Sequence, residues 1–177
     1  MVELSFFIFT PNTPKFNCMK SAQEWFNAYG VSHKNKTNKL IHWICVPLIF
    51  FTILGLLSEI PAAGLKSFFP ETMQPFIHYG TVVVFIGLIF YARLSATLTL
   101  GMLLFSGLNL WIITLLNQAG IHVGYLSLSI FVLAWIGQFI GHKIEGAKPS
   151  FFEDLQFLLI GPIWLLQFIY KKVGISI

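Results

Sequence analysis

An all-α bundle embedded in a membrane is the fold class this sequence predicts, on three observations. Of its 177 residues, 56% are hydrophobic and only 10% charged, where a soluble domain carries about 25% charged residues. The mean hydropathy is +0.76, and the apolar residues are gathered into long segments split by short polar stretches. The lysines flank those segments instead of forming one patch. The net charge of +4 therefore reads as membrane anchors and orientation signals, not as a nucleic-acid surface. One transmembrane domain is expected over 19–177, with 1–18 as an extension. Met1 to Thr10 is apolar but carries Glu3 and no basic start, so it makes a poor signal peptide, and Met19 is an alternative start. Cys18 and Cys45 lie far apart in sequence and form neither a disulfide framework nor a CxxC site.

Taken in order, Ser21 to Tyr29 predicts a short amphipathic helix with Trp25, Phe26 and Tyr29 on one side, ended by Gly30 and lying at the interface. A polar loop follows, with Thr37 or Asn38 as the N-cap of the next helix. Leu40 to Leu57 is the first membrane segment, about 27 Å long and just able to span, with Pro47 expected to kink it. The second segment is Phe76 to Tyr91. A tight turn, Arg93 to Thr97, returns the chain antiparallel into the third, Leu98 to Leu116. The fourth runs from Val123 to Ile140 and continues as helix toward Glu145. Ser150 and Glu153 form a capping box that opens a last segment, Phe151 to Tyr170. Gly161-Pro162 interrupts it, so it either crosses with a kink or folds back as a re-entrant hairpin. Four or five membrane segments result.

The positive-inside rule sets the orientation. With a cytoplasmic N-terminus, eight Lys and Arg lie inside against three outside, or ten against one if the last segment is a hairpin. The hairpin is thereby slightly favoured. This topology sorts the five histidines. His33, His42 and His142 fall on the cytoplasmic side. His78 and His122 fall on the other, about 30 Å away, and read as structural.

Polar, metal-capable side chains are costly in hydrocarbon and mark a site when they converge. Gln138, His142 and Glu145 share one helical face with Trp135, either as a hydrogen-bonded cluster or as part of a site. Gly137 and Gly141 would let a second helix approach closely. In one continuous helix His33 and His42 would face opposite ways, so they share an ion only if the Asn35 to Asn38 loop breaks the helix. Asn38 either caps the helix or orients a histidine. Arg93 is a membrane anchor or the partner of a substrate carboxylate at the cytoplasmic interface. Imidazole suits iron, zinc or copper, and three imidazoles would leave open coordination positions. There is no HExxH, GxSxG, P-loop or dinucleotide fingerprint.

Tyr29, His33, Asn38, His42 and Pro47, followed far downstream by Trp135-Ile-Gly-Gln138-Phe-Ile-Gly-His142, Glu145 and Pro149, resemble a family of small multi-pass membrane proteins, the 2-hydroxy fatty acid dioxygenases of fatty-acid α-oxidation. The resemblance runs from Met19 over nearly the whole chain and is nearest to bacterial members. It implies an enzyme that uses Fe(2+) and O2 to cleave a 2-hydroxy fatty acid to the acid one carbon shorter plus CO2. His33, His42 and His142 would hold the iron, and Gln138 and Glu145 would fix the imidazoles. It further implies membrane lipid as surroundings, a bacterial inner membrane or otherwise an endoplasmic reticulum, and a cytoplasmic active site. The spacing from His142 to Glu145 departs from the eukaryotic members by one residue. The competing reading is a non-enzymatic lipid-binding scaffold or a small transporter. Transport is the weaker of these, because every charge lies at a segment end or in a loop.

Overall fold

A computed structural model describes residues 20–146 and 151–177. The extension over 1–18 and the Ser150–Glu153 capping box lie outside the described residues. Helix α1 (Ala22–Val31) opens on a capping box in which Ser21 and Glu24 satisfy each other's backbone N–H. Helix α2 (Lys36–Ser58) is followed by the four-residue α3 (Ala63–Lys66) and a 3-10 turn, Gln74–Phe76. Then come α4 (Tyr79–Ala92), α5 (Ala96–Gln118), α6 (Val123–Glu145) and α7 (Phe151–Lys172). Helices α2, α5 and α6 have 23 residues each and are long and apolar enough to cross a membrane. Helix α4 is apolar but shorter. The all-helical bundle is as the sequence predicts. The first helix runs one residue past Gly30 to Val31.

Helices α2 and α6 form the spine. They run antiparallel and touch along their whole lengths, from Asn38 beside Gly141 at one end to Glu59 beside Gly124 at the other. The close approach rests on the glycine pair. A Cβ on Gly137 would stand 2.8 Å from the Cys45 sulfur, and one on Gly141 would collide with the Asn38 amide. Small residues at such a crossing let backbones pack where lipid offers no hydrophobic drive between helices. Helix α4 packs on α5 and α2. Outer faces carry exposed Leu, Ile and Phe, among them Leu104, Leu133 and Phe139.

The last segment departs from the hairpin that the charge count slightly favours. Helix α7 is one unbroken helix through Gly161-Pro162. Its described partners lie at one end of the bundle. The Tyr91 hydroxyl donates to the Leu159 carbonyl at 2.8 Å, Phe168 packs on Trp43, and the Tyr170 hydroxyl donates to the Thr97 carbonyl at 3.0 Å. From Leu159 to Tyr170 the helix advances about 16 Å yet never leaves the end of α4, the first three turns of α2 and the first turns of α5. It lies across the bundle. Pro162 takes from the helix the N–H that would serve the Leu158 carbonyl, and around this step neighbouring groups engage the helix: the Tyr91 hydroxyl donates to the Leu159 carbonyl, and Gly161 lets Val46 and Tyr29 pack close.

Candidate metal centre

The site begins with a break in the chain. Between α1 and α2 the segment 32–35 is non-helical. Asn35, with extended backbone, caps α2 by accepting from the N–H groups of Thr37 at 2.8 Å and Asn38 at 3.4 Å. The break comes a few residues before the Asn35 to Asn38 position the sequence points to, and the cap is Asn35 in place of Thr37 or Asn38. Asn38 is turned inward and fully buried. Its amide donates to the Ser32 carbonyl at 3.1 Å and to Glu145 at 3.0 Å.

Glu145 also accepts from the backbone N–H of Lys34 at 2.8 Å and of Asn35 at 2.9 Å. A carboxylate at the end of α6 thus closes over the N-terminus of α2, where the helix dipole and unpaired N–H groups favour negative charge. The loop so fixed folds His33 back beside His42. The rings of His33 and His42 are 4.2 Å apart, His42 and His142 5.0 Å, and His33 and His142 5.5 Å, by centroid. One nitrogen from each of the three lies within 4.8 Å of the others.

The ring orientations follow from backbone carbonyls. His33 Nδ1 lies 2.6 Å from the Tyr29 carbonyl and His42 Nδ1 lies 2.9 Å from the Asn38 carbonyl. A carbonyl only accepts, so each Nδ1 carries the proton and each Nε2 keeps its lone pair. The His33 Nε2 is buried with no hydrogen-bond partner among the described residues. A buried, unpaired lone pair facing two further imidazoles is what a metal ligand requires. Main-chain carbonyls thus act beside Gln138 and Glu145, the groups expected to fix the imidazoles. Main-chain carbonyls orient His33 and His42, Gln138 is buried and its side chain bonds the His42 ring, and Glu145 acts through the loop.

Burial pushes the His33 imidazole down to about 4, against the raising effect of the Tyr29 carbonyl. At neutral pH it is uncharged and free to ligate. Tyr29 stacks on it, with centroids 4.0 Å apart and planes 5° from parallel, and Trp164 of α7 closes the other approach at 5.5 Å.

A cavity of about 410 Å³ adjoins the triad, within the range of small-molecule sites. Its far wall is apolar, built from Ile49, Phe50 and Ile53 of α2 and Trp135 of α6, with Phe157 and Leu158 of α7 closing it. Lys143 lines it beside His142.

Three other candidates stay apart. Arg93 is exposed at the α4–α5 turn and is not among the residues lining the cavity, because α4 packs on α5 and α2. It is not brought to the histidines as a carboxylate partner. His78 and His122 precede α4 and α6 at the opposite end of the bundle. Tyr29 stacks on His33 and Lys143 lines the cavity, where sequence reasoning saw an interfacial aromatic and a flanking anchor. The four-residue step from Tyr29 to His33 was the signal for the first, and the step from His142 to Lys143 for the second.

No curated protein and no solved structure matches this chain. The family model described as 2-hydroxy-palmitic acid dioxygenase Mpo1-like matches residues 19–173, which contain every element of the site. The chain belongs to that Mpo1-like family.

Proposed function

We propose that this protein is an iron(II)-dependent dioxygenase that converts a 2-hydroxy fatty acid and O2 into the fatty acid one carbon shorter, CO2 and water. The observation that carries the reading is the convergence of three imidazoles at the polar end of an apolar cavity, two of them with the proton held on Nδ1 by a main-chain carbonyl and His33 with its Nε2 unpartnered among the described residues. The family's name supplies the substrate class.

The overall reaction balances without an outside reductant. Oxidising the 2-hydroxy acid to the shorter acid and CO2 releases four electrons, and one O2 takes up four. Bound iron would supply a centre that activates O2 and gathers it with the substrate's hydroxyl and carboxylate. Three protein ligands leave positions open for that purpose.

The chain's own residues do the rest. His33, His42 and His142 would hold the iron. Tyr29 and the Asn38 carbonyl keep two rings in the ligating tautomer. Glu145 and Asn38 keep the loop closed. The wall from Ile49 to Ile53 would receive the acyl chain from the bilayer. We assign the histidine end to the cytoplasmic side of a bacterial inner membrane, because the lysines concentrate there and α7 lies across that same end. With both ends of α7 inside, the count of Lys and Arg is ten against one.

Oxygen uptake by anaerobically iron-loaded protein given 2-hydroxypalmitate, with mass spectrometry of the acid formed, tests the reading. Pentadecanoic acid formed in step with O2 consumed is expected. Protein that holds no iron and forms no shortened acid contradicts it and leaves a lipid-binding scaffold.

A further inference from the structure

We propose that Lys143 is the head-group anchor of the cavity, binding the carboxylate of a single-chain 2-hydroxy acid whose tail runs along α2 to Ile53. The proposal rests on the dioxygenase reading and deepens it. The cavity is polar at one end and apolar at the other. His33, His42, His142, Gln138 and Lys143 gather at the first, and Ile49, Phe50, Ile53 and Trp135 line the second. From His42 to Ile53 the wall extends about 16 Å along one helix. That polarity and length fit one amphiphile, head at the bundle end and tail toward the middle of the membrane.

Lys143 is the cation on this lining. It is exposed at the cavity mouth, where a lysine can lay its stem on the apolar rim and keep its ammonium at the water boundary. The neighbouring carboxylate does not compete for it, since Glu145 is engaged by three N–H donors from Lys34, Asn35 and Asn38. A 2-hydroxy acid that meets an ion through its hydroxyl and one carboxylate oxygen leaves the second oxygen free. An ammonium one residue from His142 is suited to take it as a charge-assisted hydrogen bond. Phe139 stands one turn before Lys143 on the same face of α6, so the stem and the ring share the rim.

Direct binding separates this anchor from a structural role. Full-length protein in nanodiscs, prepared without metal, is titrated with labelled 2-hydroxypalmitate and with hexadecane-1,2-diol, its neutral counterpart. Lys143→Gln is expected to weaken the acid by about tenfold and leave the diol unchanged, while Lys143→Arg keeps the acid. Lys143→Gln should still bind one iron, which distinguishes a lost anchor from a distorted centre. Equal binding of the acid by wild type and Lys143→Gln overturns the proposal while the dioxygenase reading stands. Parallel loss of acid and diol also overturns it. Wild-type protein that binds the acid neither with nor without iron overturns both.

Discussion

The two ends of the α2–α6 pair are built alike and do different things. At one end the Glu145 carboxylate, closing α6, accepts from backbone N–H groups at the start of α2. At the other, Glu59, just past the end of α2, accepts from the Gly124 N–H in the first turn of α6 at 3.0 Å. Each carboxylate satisfies donors that a helix N-terminus leaves open. Each end also has a glycine against a polar side chain, Gly141 with Asn38 and Gly55 with Ser127. Histidines occur at both. Among the described residues, three rings converge at one end, beside a cavity of about 410 Å³. The difference lies in the loop. Glu145 clamps a broken helix that folds His33 back over His42, whereas the His78 ring packs over Gly80 beside the Leu54 carbonyl and His122 is exposed. A helix clamp is a structural device. It becomes part of a site when the clamped segment carries a ligand.

The largest expected effect comes from swapping histidines across this divide. His33→Ala, His42→Ala or His142→Ala should abolish iron-dependent turnover, and His78→Ala and His122→Ala should retain it, as read by shortened acid formed per protein. Acid should act next most strongly. The folded His33 takes its proton near 4, and the unfolded chain takes it near 6.5, so stability is full above 6.5 and declines as pH falls toward 4. Across that window the metal-free protein should lose about 3 kcal/mol that His33→Gln does not lose, visible in thermal unfolding at pH 7 and pH 4.5.

The clamps themselves separate next. Glu145→Ala should weaken iron binding by about ten- to a hundredfold, as groups that position ligands do. Glu59→Ala should leave iron untouched and cost about 1 kcal/mol of stability. The smallest difference is between the glycines. Gly141→Ala and Gly55→Ala should each cost about 1–2 kcal/mol from overpacking. Only Gly141→Ala should also lower iron affinity, because the atom it displaces belongs to Asn38.

Most of the bundle was legible in the sequence because hydrocarbon imposes a simple rule on it. Apolar segments long enough to span must be helices, since no water is present to satisfy a bare backbone. Leu40 to Leu57 and Leu98 to Leu116 sit inside α2 and α5, and Val123 begins α6 where expected. The histidine grouping followed from topology alone. The fate of α7 did not, because a Gly-Pro step states only what is lost within the helix. Whether Tyr91 reaches the Leu159 carbonyl is a tertiary fact. Likewise the polar composition of the loop announced a break, but the choice of Asn35 as cap depended on Asn38 being drawn inward by Glu145, a residue far along the chain. Arg93 lies outside the cavity lining for a similar reason. Shared depth in a membrane does not make residues neighbours when their helices pack on different partners.

X-ray absorption at the iron edge of anaerobically loaded protein tests the histidine end most directly. Three imidazole nitrogens at about 2.1 Å are expected, falling to two or to no bound iron in His33→Ala and unchanged in His78→Ala. A spectrum with fewer imidazoles in the wild type, or one that His33→Ala leaves unaltered, would contradict a metal centre built by the folded-back loop.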